Sequence, residues 1–126
     1  MTEHAASPPG SKVIKWVAAT IAVAMSLYHI YTTAFAPPEA MIFRGTHLLF
    51  ALTLVLLLYP LKGGQSWGWR AVDGVLIAGS FTFILHIFLT YESFLNRIIY
   101  IDDLTQSDKV NAVIAILIVL EATRRV

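Results

Sequence analysis

The stretch Arg44-Gly45-Thr46-His47-Leu48-Leu49-Phe50-Ala51-Leu52-Thr53-Leu54-Val55-Leu56-Leu57-Leu58-Tyr59-Pro60 decides what kind of protein this is. A cation and an imidazole open it, a mostly aliphatic run follows, and Tyr59-Pro60 closes it. No polar stripe recurs at a period of about 3.6 residues, so it is not the amphipathic helix of a soluble domain. Counted from Met41 to Leu61, it reaches the ~20 residues that a hydrocarbon core of ~30 Å demands at about 1.5 Å per residue. Arg44 stands near one end, where a long side chain can snorkel to the headgroups.

Composition agrees. Of 126 residues, 57% are hydrophobic and only 13% are charged, with a mean hydropathy of +0.70. A soluble domain of this size has too much surface to present that composition to water. A net charge of +1 and the lack of a Lys/Arg cluster argue against a nucleic-acid partner. Cysteine is absent, which excludes disulfides and thiolate metal sites. The length suits one small membrane domain.

Working outward, residues 1–12 read as a polar, loop-like cytoplasmic tail in which Pro8-Pro9-Gly10 blocks regular structure. Lys12 and Lys15 precede an apolar run too long for the core of a secretory signal. Residues 13–126 read as one transmembrane helical domain. Its first helix spans about 13–36, with Trp16 at one interface and Tyr28, Tyr31 and Phe35 toward the other. Pro37-Pro38 ends it, because a residue before proline is steered out of the helical region. The second helix spans about 41–61. A glycine-rich turn with Trp67 and Trp69 leads to a third at about 71–91, with Asp73 in its first turn complementing the helix dipole. Gly74, Ala78, Gly79 and Ser80 are small enough to allow close helix contact. Residues 92–109 read as an interfacial segment and a loop, and Ser107-Asp108 as the N-cap of a fourth helix at about 108–125.

The expected fold is therefore an all-α integral membrane bundle of three to four transmembrane helices. Lys12, Lys15, Lys62, Arg70, Arg124 and Arg125 fall on one side, and Arg44, Arg97 and Lys109 on the other. Six cations against three favour an N-in/C-in, multi-pass topology.

Chemistry-bearing residues are few. His29, His47 and His86 belong to the spans and lie toward the same outer half, and facing histidines in an apolar bundle can hold haem. The simpler reading is that each imidazole bonds across a helix interface, since no pair has ligand spacing on one helix. Asn111 and Glu121 are the buried polar candidates of the fourth helix, where a lone polar residue is more often glue than a site. There is no nucleophile–base pair or carboxylate pair, and Gly63-Gly64 lacks the Gly-Lys-Ser/Thr of a phosphate loop. The residues give no indication of an enzyme.

Several of these pieces together resemble a known family. Arg44-x-x-His47-Leu48 leading to Leu58-Tyr59-Pro60-Leu61, then Asp73 opening the next helix as in a "D-x-x-L" start, then Leu120-Glu121-Ala122-Thr123-Arg124-Arg125 as "LEATRR", are similar to the N-terminal, small-subunit (Q-like) region of TRAP transporter permeases. The type is the 4TM/12TM fusion that works with TAXI-type binding proteins. The Ala24-Met25-Ser26-Leu27-Tyr28 stretch is also similar, so the resemblance covers residues 13–126.

The resemblance implies a scaffold in the cell inner membrane that buttresses a large M-type permease portion. That portion carries the substrate and sodium sites, and a periplasmic TAXI-type protein delivers an organic acid or amino acid. It implies no cofactor in this chain, since sodium coupling belongs to the large portion. The sequence stops at Val126, where the family's fused chain continues, so a fragment and a separate small subunit are both expected possibilities, and neither transports alone. Arg44, His47, Tyr59, Pro60, Asp73, Glu121, Arg124 and Arg125 are then structural. Arg44 and His47 are expected to pair with outer acids such as Glu39, Glu92 or Asp102. Tyr59 belongs to the inner aromatic belt, Pro60 stops its helix, and Glu121 can pair with Arg124 and Arg125 three and four residues on. The competing reading is a haem-binding anchor of a membrane oxidoreductase using His29, His47 or His86.

Overall fold

A computed structural model describes residues 9–61, 66–98 and 100–126. Five helices follow in order: α1 Pro9–Ala34, α2 Ala40–Leu58, α3 Trp67–Leu89, the short α4 Tyr91–Asn96, and α5 Gln106–Arg125. The reading of Met1–Pro8 as a tail and the Lys62–Gln65 part of the glycine turn lie outside the described residues.

Local chemistry sets the helix ends. Pro9 does not block α1 but opens it, at a position where a missing N–H leaves no bond unmade. Glu39 caps α2 by accepting from the Met41 amide at 3.4 Å. Tyr59 N–H still reaches the Val55 carbonyl, and Pro60 then stops the helix. Helix α3 starts at Trp67 and not near Ala71, so Asp73 lies in the second turn, where it is buried. The charge there cannot be assigned to the helix dipole. The cap of α5 is Thr105 and not Ser107. Thr105 Oγ1 accepts from the Asp108 amide at 3.2 Å, and Asp108 Oδ2 accepts from the Thr105 amide at 3.1 Å, a reciprocal capping box.

Helices α2, α3 and α5 pack on one another, and α1 packs chiefly on α2. The core is Leu52 and Leu56 from α2, Phe83 and Ile84 from α3, and Ile118 and Ala122 from α5. Gly79 lets α5 approach closely, since a Cβ there would lie 2.9 Å from Ile118 Cδ1. Buried Thr53 and Ser80 donate to the carbonyls of Leu49 and Leu76 one turn back, so neither leaves an unmade bond in the apolar interior.

Helices α1, α2 and α3 are each long and apolar enough to cross a membrane, and they leave Trp16, Val23, Leu27, Val75, Phe81 and Leu85 exposed. Water would not tolerate that surface, whereas lipid does. The protein is an all-α, multi-pass membrane bundle. Helix α5 packs alongside with an apolar run, Val110–Leu120, bounded by Asp108 and Lys109 at one end and Glu121, Arg124 and Arg125 at the other. Contacts of His29 with His47, of Asp73 with Leu61 and of Asp73 with Arg125 make α1, α2, α3 and α5 successively antiparallel. The start of α1, the end of α2, the start of α3 and the end of α5 therefore share one side.

Candidate functional site

At that shared end, charges from α3 and α5 converge on the end of α2. Arg125, in the last turn of α5, donates through Nη1 to Asp73 Oδ1 at 2.7 Å and to the Tyr59 carbonyl at 3.2 Å. Its Nε donates to Glu121 Oε1 at 2.9 Å. Arg124 grips the same carboxylate bidentately, Nε to Oε2 at 2.9 Å and Nη2 to Oε1 at 2.7 Å. The other oxygen of Asp73 accepts from the Leu61 amide at 3.2 Å. The carboxylate thus reaches the chain just past α2, while Arg125 satisfies a carbonyl at its end. Pro60, Tyr59, Arg124 and Arg125 border a cavity of about 440 Å³ beside this lock.

Two arginines around one carboxylate favour its ionised form. Glu121 lies outside the three spans, and hydrogen bonds first from Arg124 and then from Arg125 lower its pKa to about 2, against the upward pull of burial. Glu121 in turn raises the pKa of Arg124.

A second cluster forms at the opposite end around Asp108. His86 Nε2 lies 2.9 Å from Asp108 Oδ1, and Arg97 Nη2 lies 2.9 Å from Oδ2. Arg97 also sits over the Phe94 ring, 5.2 Å from its centroid. Asp108 joins α3, the segment after α4, and its own helix cap. Hydrogen bonds from His86, then Thr105, hold its carboxyl well below the usual carboxylate range, against the opposing effect of burial. A cavity of about 660 Å³ opens nearby between Met41, Phe94, Arg97, Leu104 and Lys109. At the same end the Tyr91 hydroxyl, outside the spans, is pushed up to about 12 by desolvation and then by its bond to Glu39.

The third polar contact joins α1 to α2. His47 Nδ1 lies 2.9 Å from His29 Nε2, and His29 Nδ1 lies 2.7 Å from the Met25 carbonyl. A carbonyl only accepts, so His29 Nδ1 carries the proton and its Nε2 is the acceptor toward His47.

The sequence reading divides accordingly. Tyr59, Asp73, Glu121, Arg124 and Arg125 come together with Pro60 at their edge, although Asp73 and Arg125 were not expected to be partners. The expected pairing of Arg44 and His47 with outer acids is overturned. His47 turns to His29, Glu39 caps α2, Asp102 accepts from the Ile98 amide at 2.8 Å, and Arg44 makes no ion pair among the described residues. Arg44 borders a separate recess with Thr32, Thr33 and Phe43. Asn111 donates to the Ser107 carbonyl of its own helix at 2.9 Å.

Here His29 and His47 are bonded directly to each other, and His86 is engaged by Asp108. The Asp108 cluster went unread in the sequence. Its signal was the Thr105-x-x-Asp108 spacing of a capping box. No protein-family profile, curated protein or solved structure matches the chain.

Proposed function

We propose that the chain is the membrane scaffold portion of a TRAP-type secondary transporter, working beside an M-type permease portion and a periplasmic TAXI-type binding protein. One observation carries the reading. Five residues behind the resemblance, Tyr59, Asp73, Glu121, Arg124 and Arg125, are spread over as many as 66 residues of sequence, yet they meet in one interhelical lock. Residues that form a signature because they hold helices together are what a buttress requires, and this lock leaves neither carboxylate free to bind substrate. The interior polar groups Thr53 and Ser80 are likewise committed to their own helices.

The end of the bundle holding Lys12, Lys15, Arg70, Arg124 and Arg125 is the cytoplasmic one, by the excess of cations there. Substrate and sodium bind in the large portion, and the membrane is the cell inner membrane.

The experiment is co-expression with an M-type permease portion and purification through a tag on this chain. The two should co-purify, and uptake of an organic acid or amino acid into proteoliposomes should need both, the binding protein and a sodium gradient. Failure of the two to associate in detergent or lipid overturns the assignment.

A further inference from the structure

The His29–His47 contact belongs to neither charge cluster, and its geometry suits more than a hydrogen bond. Both nitrogens point at one position between α1 and α2, with the rings nearly perpendicular at 83° and centroids 5.0 Å apart. His29 is held on three sides. Its Nδ1–H is tied to the Met25 carbonyl, and the rings of Tyr28 and Phe43 meet it edge-on at 5.5 and 5.1 Å. A backbone carbonyl on the far ring nitrogen is the outer contact that orients metal-binding imidazoles and raises their basicity.

We propose that His29 and His47 form a site for a borderline divalent transition metal, zinc or copper, which bridges α1 and α2. Tetrahedral zinc with bonds of about 2.0–2.1 Å holds two nitrogens roughly 3.3 Å apart. The observed separation is 2.9 Å, so a widening of about half an ångström lets the ion replace the shared proton. His47 moves that proton from Nδ1 to its own Nε2, a change of tautomer with no net proton released. Water completes the coordination. An open recess lined by His29, Ile30, Thr33 and Ala34 lies beside His29.

The donor set decides the class of ion. Two neutral imidazoles suit zinc and copper, whereas calcium and magnesium need oxygen ligands. The pair includes no carboxylate, and Arg44 stands three residues before His47 on α2. Charge therefore gives a hard cation no advantage.

The test uses the full chain in detergent, titrated with zinc by calorimetry and with copper by electron paramagnetic resonance. One equivalent should bind with a two-nitrogen copper signature, and calcium should not bind. His29→Ala and His47→Gln should each weaken binding at least ~10-fold, the lower range for disturbing even an outer-shell partner. His47→Gln keeps a donor for His29 Nε2, so unchanged circular dichroism with lost binding separates ligation from folding. Zinc should also raise the melting temperature of the wild type and not of His47→Gln. No metal uptake by the wild type, or full affinity in both variants, overturns the site. So does a signal that disappears in His4→Ala or His86→Ala instead.

Discussion

Arg125 and Asp73, 52 residues apart in the sequence, meet at 2.7 Å with more than nine-tenths of each side chain withdrawn from solvent. Asp73 has no other cation among the described residues, whereas Arg125 keeps Glu121 as a second partner. Arg125→Gln leaves the Asp73 carboxylate buried without a cation and should lower stability by about 3–5 kcal/mol, whereas Asp73→Asn, with Arg125 still held by Glu121, should cost less. The double substitution removes both charges and should cost less than the sum of the two. Thermal unfolding of all three variants in detergent gives the coupling, and simple additivity would show that the two residues do not interact.

Acid should loosen α5 from both ends. Glu121 has a folded pKa near 2 against an ordinary 4.5, and Asp108 is also depressed. A lowered folded pKa gives stability that is fully present above the ordinary carboxylate value and is lost as pH falls toward the folded one. The melting temperature should therefore hold as pH drops from 7 to about 5, then decline below about 4.5. Glu121→Gln should flatten part of that decline and lower the plateau. An unchanged acid limb in Glu121→Gln and Asp108→Asn would refute the assignment.

Two glycines of α3 should respond in opposite ways. At Gly74 an added Cβ meets nothing within 4 Å, so Gly74→Ala should gain up to about 1 kcal/mol from helix propensity. At Gly79 the same atom would lie 2.9 Å from Ile118 Cδ1. Gly79→Leu should cost about 1–3 kcal/mol by overpacking, and Ile118→Ala in the same chain should restore part of it. The comparison is read from melting temperatures of the four proteins.

The cysteine-free sequence allows topology to be read by labelling single introduced cysteines. In intact cells a membrane-impermeant maleimide should label Asp103→Cys, and it should label Lys15→Cys only after the membrane is opened. The reverse pattern would invert the assigned orientation.

What could be read in advance follows from the range of the forces involved. Spans such as α2 are dictated by an unbroken apolar run, a local property that sequence displays directly. Glu121 with Arg124 and Arg125 is local too, since helical spacing alone brings them together. The Asp73–Arg125 pair is not, because nothing along the chain states which acid faces which cation across two helices. Trp67-Gly68-Trp69-Arg70 has the composition of a turn, while in the fold it is helical, so α3 starts earlier than its sequence suggests. Ser107 is the more visible cap candidate than Thr105, because the acid that completes the Thr105 capping box is Asp108, shorter than the usual Glu.

Helix α5 is fastened to α3 near both of its ends, through Arg125 to Asp73 and through Asp108 to His86. Two fastenings on one pair of rods oppose both sliding and scissoring of α5 against α3. Helix α1 packs chiefly on α2, joined to it by the His29–His47 pair and by the rings of Tyr28 and Phe43. Among the described residues no ion pair ties α1 to α2, so charge fastens α5 to α3 while rings and imidazoles fasten α1 to α2.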